Sequence, residues 1–277
     1  MMWSISIYNG DSPFTLKPLY PTPVLTKDHI TDIPADFVAD PFMLQNEGRW
    51  YMFMEVMNAE MKKGEVGLAT STNGVAWTYH SSILNEPFHL SYPYVFKCEN
   101  DFFMLPETLG AGAVCLYKAG EFPSRWSCVA RLLEGRFADP SLFHYNDQWW
   151  LFVCSTPYQH DTLRLYFANA LTGPWSEHPK SPIVSNDKRR ARPAGRVIEF
   201  NNRLIRFAQD CVPQYGSSVR AFEIRELTAN SYTEVEIEHS PILKASGNGW
   251  NASGMHHIDA HRLQDAQWLA CVDGLAN

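Results

Sequence analysis

Short runs of aromatic and branched residues alternate along this chain with polar turns. One example is Phe42-Met43-Leu44, a turn at Asn46-Glu47-Gly48, and then Trp50-Tyr51-Met52-Phe53-Met54. Two such runs around an Asn/Asp/Gly turn are typical of a β-hairpin. Gly (16 residues) and Pro (18 residues) interrupt any long stretch with the 3.6-residue period of an amphipathic helix. The pattern therefore predicts an all-β chain.

The same hairpin pattern occurs five times. Each copy begins with a leading residue that is usually followed by proline, and the five leading residues are Asp40, Tyr92, Asp139, Arg192 and His256. In the first three copies a third apolar run follows, and a fourth is marked by Trp77, Trp126 or Trp175. Four-stranded antiparallel units repeated at about 50 residues are typical of β-propeller blades. We therefore predict one domain, residues 1–277, that forms a five-bladed β-propeller of four-stranded antiparallel blades.

The two ends of the chain are predicted to share a blade. The fifth copy has only two runs before Asn277, whereas the segment Trp3-Ser4-Ile5-Ser6-Ile7-Tyr8 alternates like a strand ahead of the first copy. We expect this N-terminal strand to complete blade five and to close the ring of blades.

Composition narrows the classes of function. Hydrophobic residues make up 45% of the 277 residues and charged residues 19%, as in ordinary folded proteins. The net charge of −7 argues against nucleic acid as a partner. No apolar run approaches the roughly 18 residues of a membrane span, and the N-terminus lacks the pattern of a signal peptide. Six scattered cysteines suit reduced thiols, so we predict a cytoplasmic protein.

Equivalent residues of propeller blades form rings around the central channel, because the first strand of each blade lines it. The five leading residues should therefore meet at one end. A second ring is predicted fifteen residues after each leading residue, and its members are Glu55, Glu107, Cys154, Phe207 and Cys271. A repeat that served packing alone would carry similar residues at these positions. The mixture of acids, a base, a phenol and an imidazole instead predicts a ligand site that suits a saccharide.

Structural roles compete with this interpretation for each acid. An aspartate before proline, as at Asp40 and Asp139, can accept backbone N–H bonds and only fix a turn. Glu55 and Glu107 follow apolar runs, where an acid is hard to bury without purpose, although an arginine partner could satisfy them. Trp50, Trp149 and Trp150 are expected to pack between blades rather than to form a sugar platform.

Basic and imidazole side chains complete the predicted site. His256 and His257 with Asp259 could hold a metal, but adjacent strand residues point to opposite faces, so we predict hydrogen-bonded histidines and no metal or other cofactor. Arg192 could pair with Asp40 or Asp139, or bind a carboxylate or phosphate. The neighbouring Lys188-Arg189-Arg190 fits a solvated loop equally well. Gln209, Asp210 and Tyr215 follow the second strand of blade four and are expected to reach the same mouth.

Five longer motifs resemble one family of propeller domains. They are His89-Leu90-Ser91-Tyr92-Pro93-Tyr94-Val95-Phe96, Leu105-Pro106-Glu107-Thr108, Phe122-Pro123-Ser124-Arg125-Trp126, Gly173-Pro174-Trp175-Ser176-Glu177-His178-Pro179 and Gly254-Met255-His256-His257-Ile258-Asp259. The family is named for the N-terminal domain of plant glucosamine inositolphosphorylceramide transferase, and its bacterial members occur alone or beside formyltransferase-like domains. The resemblance implies that this chain is a bacterial member of the family that occurs alone. It also implies that the transferase activity of the plant enzyme belongs to a separate C-terminal domain.

The leading Asp-Pro hairpins also resemble the five-bladed propeller clan of glycoside hydrolases, which includes the arabinanase/xylosidase and invertase families. By this resemblance Asp40 is the base or nucleophile, and Asp139 orients the acid or stabilises the transition state. The clan's acid is a glutamate on a later blade, where this chain has Cys154 and Phe207, so Glu107 is the predicted acid. The invertase-type Asn-Asp-Pro-Asn start is replaced by Ala39-Asp40-Pro41-Phe42. The clan's axial calcium would be compatible with this chain, although no ligand cluster in the sequence demands it.

The leading hypothesis is a carbohydrate-active enzyme that cleaves or transfers a glycosyl group. The predicted catalytic residues are Asp40, Glu107 and Asp139. The residues predicted to contact a saccharide or glycoconjugate, which Arg192 would allow to be acidic or phosphorylated, are Glu55, Tyr92, Arg192, Asp210, His256 and His257. The alternative is a non-catalytic carbohydrate-binding or accessory module for a glycosyl- or formyltransferase, which the missing glutamate favours. A protein scaffold would require a large exposed apolar patch. The sequence leaves the sugar, its linkage and the oligomeric state open.

Overall fold

The computed structural model describes residues 2–276, which form five antiparallel β-sheets. The inner strands of neighbouring sheets contact one another around a central channel, so the chain is the five-bladed, all-β propeller that the repeats predict. Met1 and Asn277, the ends of the predicted domain, lie outside the described residues. Helix is limited, among residues 2–276, to three short 3₁₀ segments: Lys27–His29, Leu109–Ala111 and Gly249–Asn251.

Blades one and two are regular four-stranded meanders. The strands of blade one are β3 (Ala35–Asn46), β4 (Arg49–Asn58), β5 (Lys63–Ser71) and β6 (Thr78–Leu84). Those of blade two are β7 (Ser91–Cys98), β8 (Asp101–Glu107), β9 (Ala113–Glu121) and β10 (Arg125–Glu134). In both blades, the two apolar runs of the predicted hairpin and the third apolar run fall within these strands.

Blade three follows the same path, and blade four elaborates it. Blade three has β11 (Ala138–Tyr145), β12 (Gln148–Cys154), β13 (Leu163–Ala168) and β14 (Ser176–Glu177). Blade four keeps the order β15 (Arg192–Pro193), β17 (Arg203–Asp210), β18 (Ser218–Leu227) and β19 (Tyr232–Glu236), and adds β16 (Ile198–Phe200) and β20 (Leu243–Lys244).

The inner strand of blade four is interrupted because it touches blade five at Gly195. This residue has φ +138°, and a Cβ there would lie 1.8 Å from the carbonyl oxygen of Ile258. Only glycine fits such a contact.

The first and last strands of the chain share blade five. Its sheet order is β2 (Lys17–Pro18), β1 (Met2–Gly10), β22 (Trp268–Ala276) and β21 (Ile258–Arg262). Strand β1 pairs with β22 over nine residues, from Met2 opposite Ala276 to Gly10 opposite Trp268. The predicted closure by the N-terminal strand is therefore confirmed.

A β-bulge at the start of each of the first three blades turns the leading residue out of the sheet. Asp40, Tyr92 and Asp139 have φ values of 50°, 48° and 50°, and the strand register shifts at each of them. A left-handed conformation costs a non-glycine residue on the order of 1–3 kcal/mol. The proline that follows tolerates the bulge because it has no N–H to pair. The three repetitions give Asp40, Tyr92 and Asp139 equivalent positions in their blades.

The core lies between the blades. Trp50 belongs to an apolar cluster that joins blades five and one, Trp149 packs against the cluster of blades one to three, and Trp150 joins blades three and four. The packing role predicted for these three tryptophans therefore agrees with the structure. All six cysteines are free. No helix among residues 2–276 is long and apolar enough to span a membrane.

Candidate functional site

Titratable side chains from all five blades meet at one end of the central channel. We call this set the axial ring, and its members are Asp40, Glu55, Glu107, Asp139, Arg192, His256 and Asp273. Each is at most 8% exposed. Six of them have raised or lowered pKa values, because burial disfavours their charged forms and their charges act on one another. Such a concentration of perturbed groups is typical of a functional site.

Arg192 holds two carboxyl groups of the ring together. Its Nε donates to Asp139 Oδ2 at 2.6 Å, and its second terminal nitrogen lies 3.4 Å from Glu107 Oε2. Asp139 also accepts a bond from the Gln209 amide at 2.8 Å, and its own N–H donates to Glu107 Oε2 at 3.2 Å. Asp139 is thus fixed by charge-assisted bonds, and Glu107 is held beside it.

Glu107 has the properties of a proton donor. Burial, and then the neighbouring Asp139, raise its pKa to about 8, although Arg192 opposes the shift. The shorter contact of Arg192 is with Asp139, so the guanidinium charge stabilises the Asp139 carboxylate more than a negative charge on Glu107. A carboxyl group with this pKa is mostly neutral at pH 7 and can donate a proton to a leaving group.

Asp40 lies between a backbone donor and two imidazoles. Its Oδ2 accepts the Tyr92 N–H at 3.2 Å, and its Oδ1 lies 3.8 Å from both His256 Nε2 and His257 Nδ1. Burial raises the pKa of Asp40 to about 7, while the charge of His256 pulls it down and that of Asp273 pushes it up. At neutral pH Asp40 is therefore about half ionised, and its ionised form can accept a proton.

Asp273 supports this arrangement from blade five. It accepts the backbone N–H groups of Asp40, His256 and His257 at 3.0, 3.2 and 3.1 Å, and it contacts His256 Nδ1 at 2.8 Å. Burial alone would raise the pKa of Asp273, but His256 holds it below its usual value. Burial likewise opposes the charge of His256, yet Asp273 keeps the pKa of His256 raised. The two groups form an ion pair behind Asp40.

Tyr92 and His257, both predicted to contact the ligand, lie beneath the ring and are fully buried. The Tyr92 hydroxyl contacts Ser141 Oγ at 2.7 Å and the Gly195 N–H at 2.6 Å. The His257 Nε2 donates to the carbonyl oxygen of Pro41 at 3.0 Å, and burial lowers the pKa of His257 to about 4. Their structural role is to form the floor of the site.

Glu55 is the most isolated acid of the ring. Its Oε1 lies 3.3 Å from His89 Nε2, and the Gly64 N–H donates to the other nitrogen of His89 at 2.8 Å. His89 Nδ1 is therefore an acceptor, so Nε2 carries the hydrogen and points at Glu55. Burial, and then the charges of Asp40 and Glu107, raise the pKa of Glu55 well above its usual value. Its burial and the neighbouring acids thus favour the protonated form of Glu55.

The loop between β17 and β18 extends over the ring. Tyr215 is 37% exposed, and its ring lies 4.9 Å from the Arg192 guanidinium carbon. Asp210, predicted to contact ligand, instead accepts bonds from Arg220 at 2.8 Å and from the Val212 N–H at 3.0 Å, which fix the base of this loop. His160, which the sequence did not indicate, completes the rim by contacting Arg192 at 2.9 Å.

The predicted second ring is wrong in blades four and five. Arg192 pairs with Gln209 rather than with Phe207, and in blade five Asp273 rather than Cys271 lies beside the leading residue. The spacing between leading residue and ring residue lengthens in blade four because the inner strand is interrupted at Gly195. In blade five it lengthens because five residues, 263–267, separate the paired residues Arg262 and Trp268, whereas two separate Asn46 and Arg49 in blade one. Asp273 does not lie fifteen residues after its leading residue, so the repeat spacing does not indicate it. It is nevertheless an acid at the end of the apolar run Leu269-Ala270-Cys271-Val272.

One group of possible metal ligands lies on the axis, namely Asp40, His256 and Asp273, whose ligand atoms are within 4.8 Å of one another. Three backbone N–H groups already point at the Asp273 carboxylate. A cation beside Asp273 would face these positive dipoles, so the group suits an imidazolium–carboxylate pair better than a metal.

Stability should decline as pH rises because of these raised carboxyl pKa values. Unfolded, Asp40 and Glu107 release their protons near pH 4, whereas the folded protein keeps them to about pH 7 and 8. Over that interval the folded state binds more protons, so the free energy of unfolding falls with increasing pH. Asp40→Asn should remove the part of this loss that Asp40 causes, which is at most about 4 kcal/mol of unfolding free energy at pH 8.

Urea denaturation at pH 5, 6.5 and 8 checks this expectation. The Asp40→Asn protein should gain stability over the wild type mainly at pH 8, whereas Asp101→Asn, at an exposed pair with Lys118, should leave the pH profile unchanged. Parallel profiles for wild type and Asp40→Asn would contradict the raised pKa of Asp40.

The fold and the ring together define a five-bladed β-propeller with a buried, predominantly acidic site on its axis. The chain belongs to the family described as "Glucosamine inositolphosphorylceramide transferase 1, N-terminal", whose sequence profile matches residues 1–275. It is 35% identical to glucosamine inositolphosphorylceramide transferase 1 of Oryza sativa subsp. japonica and 32% identical to that of Arabidopsis thaliana, over 98% of this chain in each case. The chain spans 40% and 39% of the length of these two relatives.

Solved structures share the fold at low sequence identity. An exo-β-1,3-galactanase from Clostridium thermocellum superposes with a TM-score of 0.65 and 14% identity, over 86% of this chain and 62% of the galactanase. The catalytic domain of a GH62 α-L-arabinofuranosidase from Coprinopsis cinerea gives a TM-score of 0.64 and 12% identity, over 99% of this chain and 98% of that domain.

Proposed function

We propose that the axial ring binds a saccharide and cleaves or transfers a glycosyl group. Glu107 is the general acid that protonates the leaving oxygen, and Asp40 is the base or nucleophile. Asp139, fixed by Arg192 and Gln209, positions Glu107 through its backbone N–H and stabilises positive charge on the sugar. Paired carboxyl groups in these two roles are the usual chemistry of glycoside hydrolysis.

One observation carries this proposal. Asp40 and Glu107 are buried carboxyl groups of the same ring whose pKa values are raised to about 7 and about 8. A purely structural carboxylate would be expected to have a partner that keeps it ionised, as Arg206 does for Glu234. The names of the relatives and of the structural neighbours support a sugar as the ligand, since both groups are named for proteins that act on glycosides or glycolipids.

We propose a neutral rather than an acidic sugar for this ring. Arg192, the residue expected to bind an anion, already faces Asp139 and Glu107 at 2.6 and 3.4 Å. Asp40, whose pKa is raised to about 7, is partly ionised at neutral pH and would repel an anionic ligand. Neutral hydroxyl groups, in contrast, can donate to carboxylates and accept from protonated carboxyl groups.

A binding module without catalysis is the second candidate. Cys154 occupies, in blade three, the position that Glu107 occupies in blade two, since each pairs with the residue before the leading aspartate or tyrosine. The propeller hydrolases that the sequence resembles take their acid from a later blade. In this candidate the ring recognises a sugar, and a partner enzyme performs the chemistry.

Proton NMR of anomeric signals separates the two candidates. The purified protein is incubated with a panel of neutral glycosides, beside Asp40→Asn and a matched buried control, Glu223→Gln, whose carboxylate pairs with Arg203 and Arg225 away from the axis. New anomeric signals from wild type and control but not from Asp40→Asn would support catalysis, and the first anomer formed would identify retention or inversion. Saturation transfer without new signals would support the binding module.

A further inference from the structure

The opposite end of the central channel is open and basic. There a depression is lined by the ends of inner strands from blades one, two and five, and its polar members are Gln45, Trp50, Lys97, Arg196, His261 and Arg262. Gln45 lies five residues beyond Asp40 on β3, which places it roughly 17 Å from the axial ring along the strand. This depression is therefore separate from the site at the mouth.

Positive charge accumulates there in an otherwise acidic protein. No carboxylate lines the depression. Asp259 lies beneath it and is already bound, since it contacts Arg196 Nε and His261 Nε2 at 2.8 Å each and accepts the Met43 N–H at 2.7 Å. Asp259 thus contacts Arg196 but neither Lys97 nor Arg262. A second carboxylate, Asp265, lines an adjoining depression with Arg262 and forms no ion pair with it among residues 2–276.

Several hydrogen-bond donors of the depression have no partner among residues 2–276. Neither the Lys97 ammonium nor the Arg262 guanidinium has an ion pair there, and the Lys97 ammonium contacts only the ring of Phe102 at 5.3 Å. Both side chains are exposed. The Gln45 amide and the Trp50 indole N–H likewise have no hydrogen-bond acceptor within that part of the chain. In contrast, nearly every cation near the axial ring is paired with a carboxylate.

We propose that this depression binds a phosphate monoester group, with Lys97 and Arg262 as its charged contacts and Arg196 behind them. A phosphate offers several acceptor oxygens and up to two negative charges, which matches a cavity with convergent donors and no acceptor carboxylate. Arg196 is held in place by the carbonyl oxygen of Val95 at 3.0 Å as well as by Asp259, so the inner surface of the site is rigid. The proposal concerns the other end of the channel and does not depend on glycoside chemistry at the axial ring.

Calorimetric titration with inorganic phosphate, at constant ionic strength, tests the site. We compare the wild type with Lys97→Gln/Arg262→Gln and with a control of equal charge, Lys17→Gln/Arg125→Gln. Lys17 and Arg125 are exposed on outer strands of blades five and two. The first double variant should bind phosphate at least ten-fold more weakly, and the control should bind as the wild type does. Because all four side chains are exposed, both proteins should fold, which circular dichroism verifies.

Two further titrations identify the source of the phosphate group. Glucose 6-phosphate represents a soluble phosphorylated sugar, and phosphatidylcholine vesicles with or without phosphatidic acid represent a lipid headgroup. Loss of either interaction in Lys97→Gln/Arg262→Gln alone would support the site and assign its source. Absence of phosphate binding by the wild type, or equal weakening in both double variants, would overturn the proposal.

Discussion

Replacing Glu107 by glutamine is expected to reduce glycoside turnover by about 10²- to 10⁴-fold, the usual contribution of a general acid. Glutamine keeps the shape of the side chain, and its oxygen can still accept the Asp139 N–H that Glu107 Oε2 accepts at 3.2 Å. It has no acidic proton to give to the leaving oxygen. The fold should be intact, because the substitution removes a buried group that is already mostly neutral at pH 7.

The leaving group distinguishes an acid from a merely structural carboxyl group. We expect Glu107→Gln to lose much less turnover on an aryl glycoside with an acidic phenol than on an alkyl glycoside, because an acidic phenol leaves without protonation. Turnover of both substrates, measured as kcat for wild type, Glu107→Gln and the control Glu223→Gln, checks this. If Glu107→Gln turned over the alkyl glycoside with the same kcat as the wild type, the assignment of Glu107 as the acid would be contradicted.

Deleting Met1 to Gly10 is expected to abolish cooperative folding. The described part of this segment is the whole of β1, which lies between β2 and β22 and pairs with β22 over nine residues. Ile5 and Ile7 are fully buried, and complete burial of such a side chain contributes about 1.5–3 kcal/mol. The two side chains account for about 3–6 kcal/mol. The buried Trp3 and Tyr8 and the lost strand pairing add to this, so the loss is comparable to the margin of about 5–15 kcal/mol by which domains are usually stable.

Two point variants in the same strand provide the graded comparison. Ile5→Ala, at a fully buried position, should cost about 2–5 kcal/mol, whereas Met2→Ala, at a position that is 40% exposed, should change the unfolding free energy little. Thermal unfolding followed by near-ultraviolet circular dichroism measures all three proteins. A sharp and unchanged transition in the deletion variant would show that blade five does not need its closing strand.

The deletion also affects the site, because the closing strand reaches the axial ring. Trp3 of β1 stacks on His256 with ring centroids 4.0 Å apart and planes 14° apart. His256 in turn pairs with Asp273 behind Asp40. Closure of the propeller is therefore linked to the surroundings of Asp40 through the contact between Trp3 and His256.

The fold could be predicted because each repeat is specified by residues that are close together in the sequence. Each hairpin carries its own apolar runs and turn, so five copies identify five blades without any knowledge of distant contacts. The interruption at Gly195 could not be predicted in this way. It depends on the carbonyl oxygen of Ile258, which lies 63 residues further along the chain and belongs to another blade.

The site was predictable where blades are regular. Asp40 and Asp139 lie in the bulge that repeats in blades one to three, and Glu107 lies on the strand paired with the bulge of blade two. The structure brings all three into one ring. Asp273 was not predicted because the second ring was inferred from the fifteen-residue spacing, which does not hold in blade five. Like Glu55 and Glu107, Asp273 is an acid within an apolar run, where burial of a charge needs a partner or a function. His160 lies in a loop, where no periodic signal exists.

The protonation state of Glu107 tests the account most directly, since the proposed chemistry requires a neutral acid beside Asp40. Carbon-detected NMR of protein labelled at the glutamate side-chain carboxyl carbon can follow the titration of each glutamate, with the signal of Glu107 assigned by its absence in Glu107→Gln. We predict a midpoint near pH 8. A midpoint near 4.5, the ordinary value for glutamate, would mean that Glu107 is ionised at neutral pH and would contradict its role as the acid.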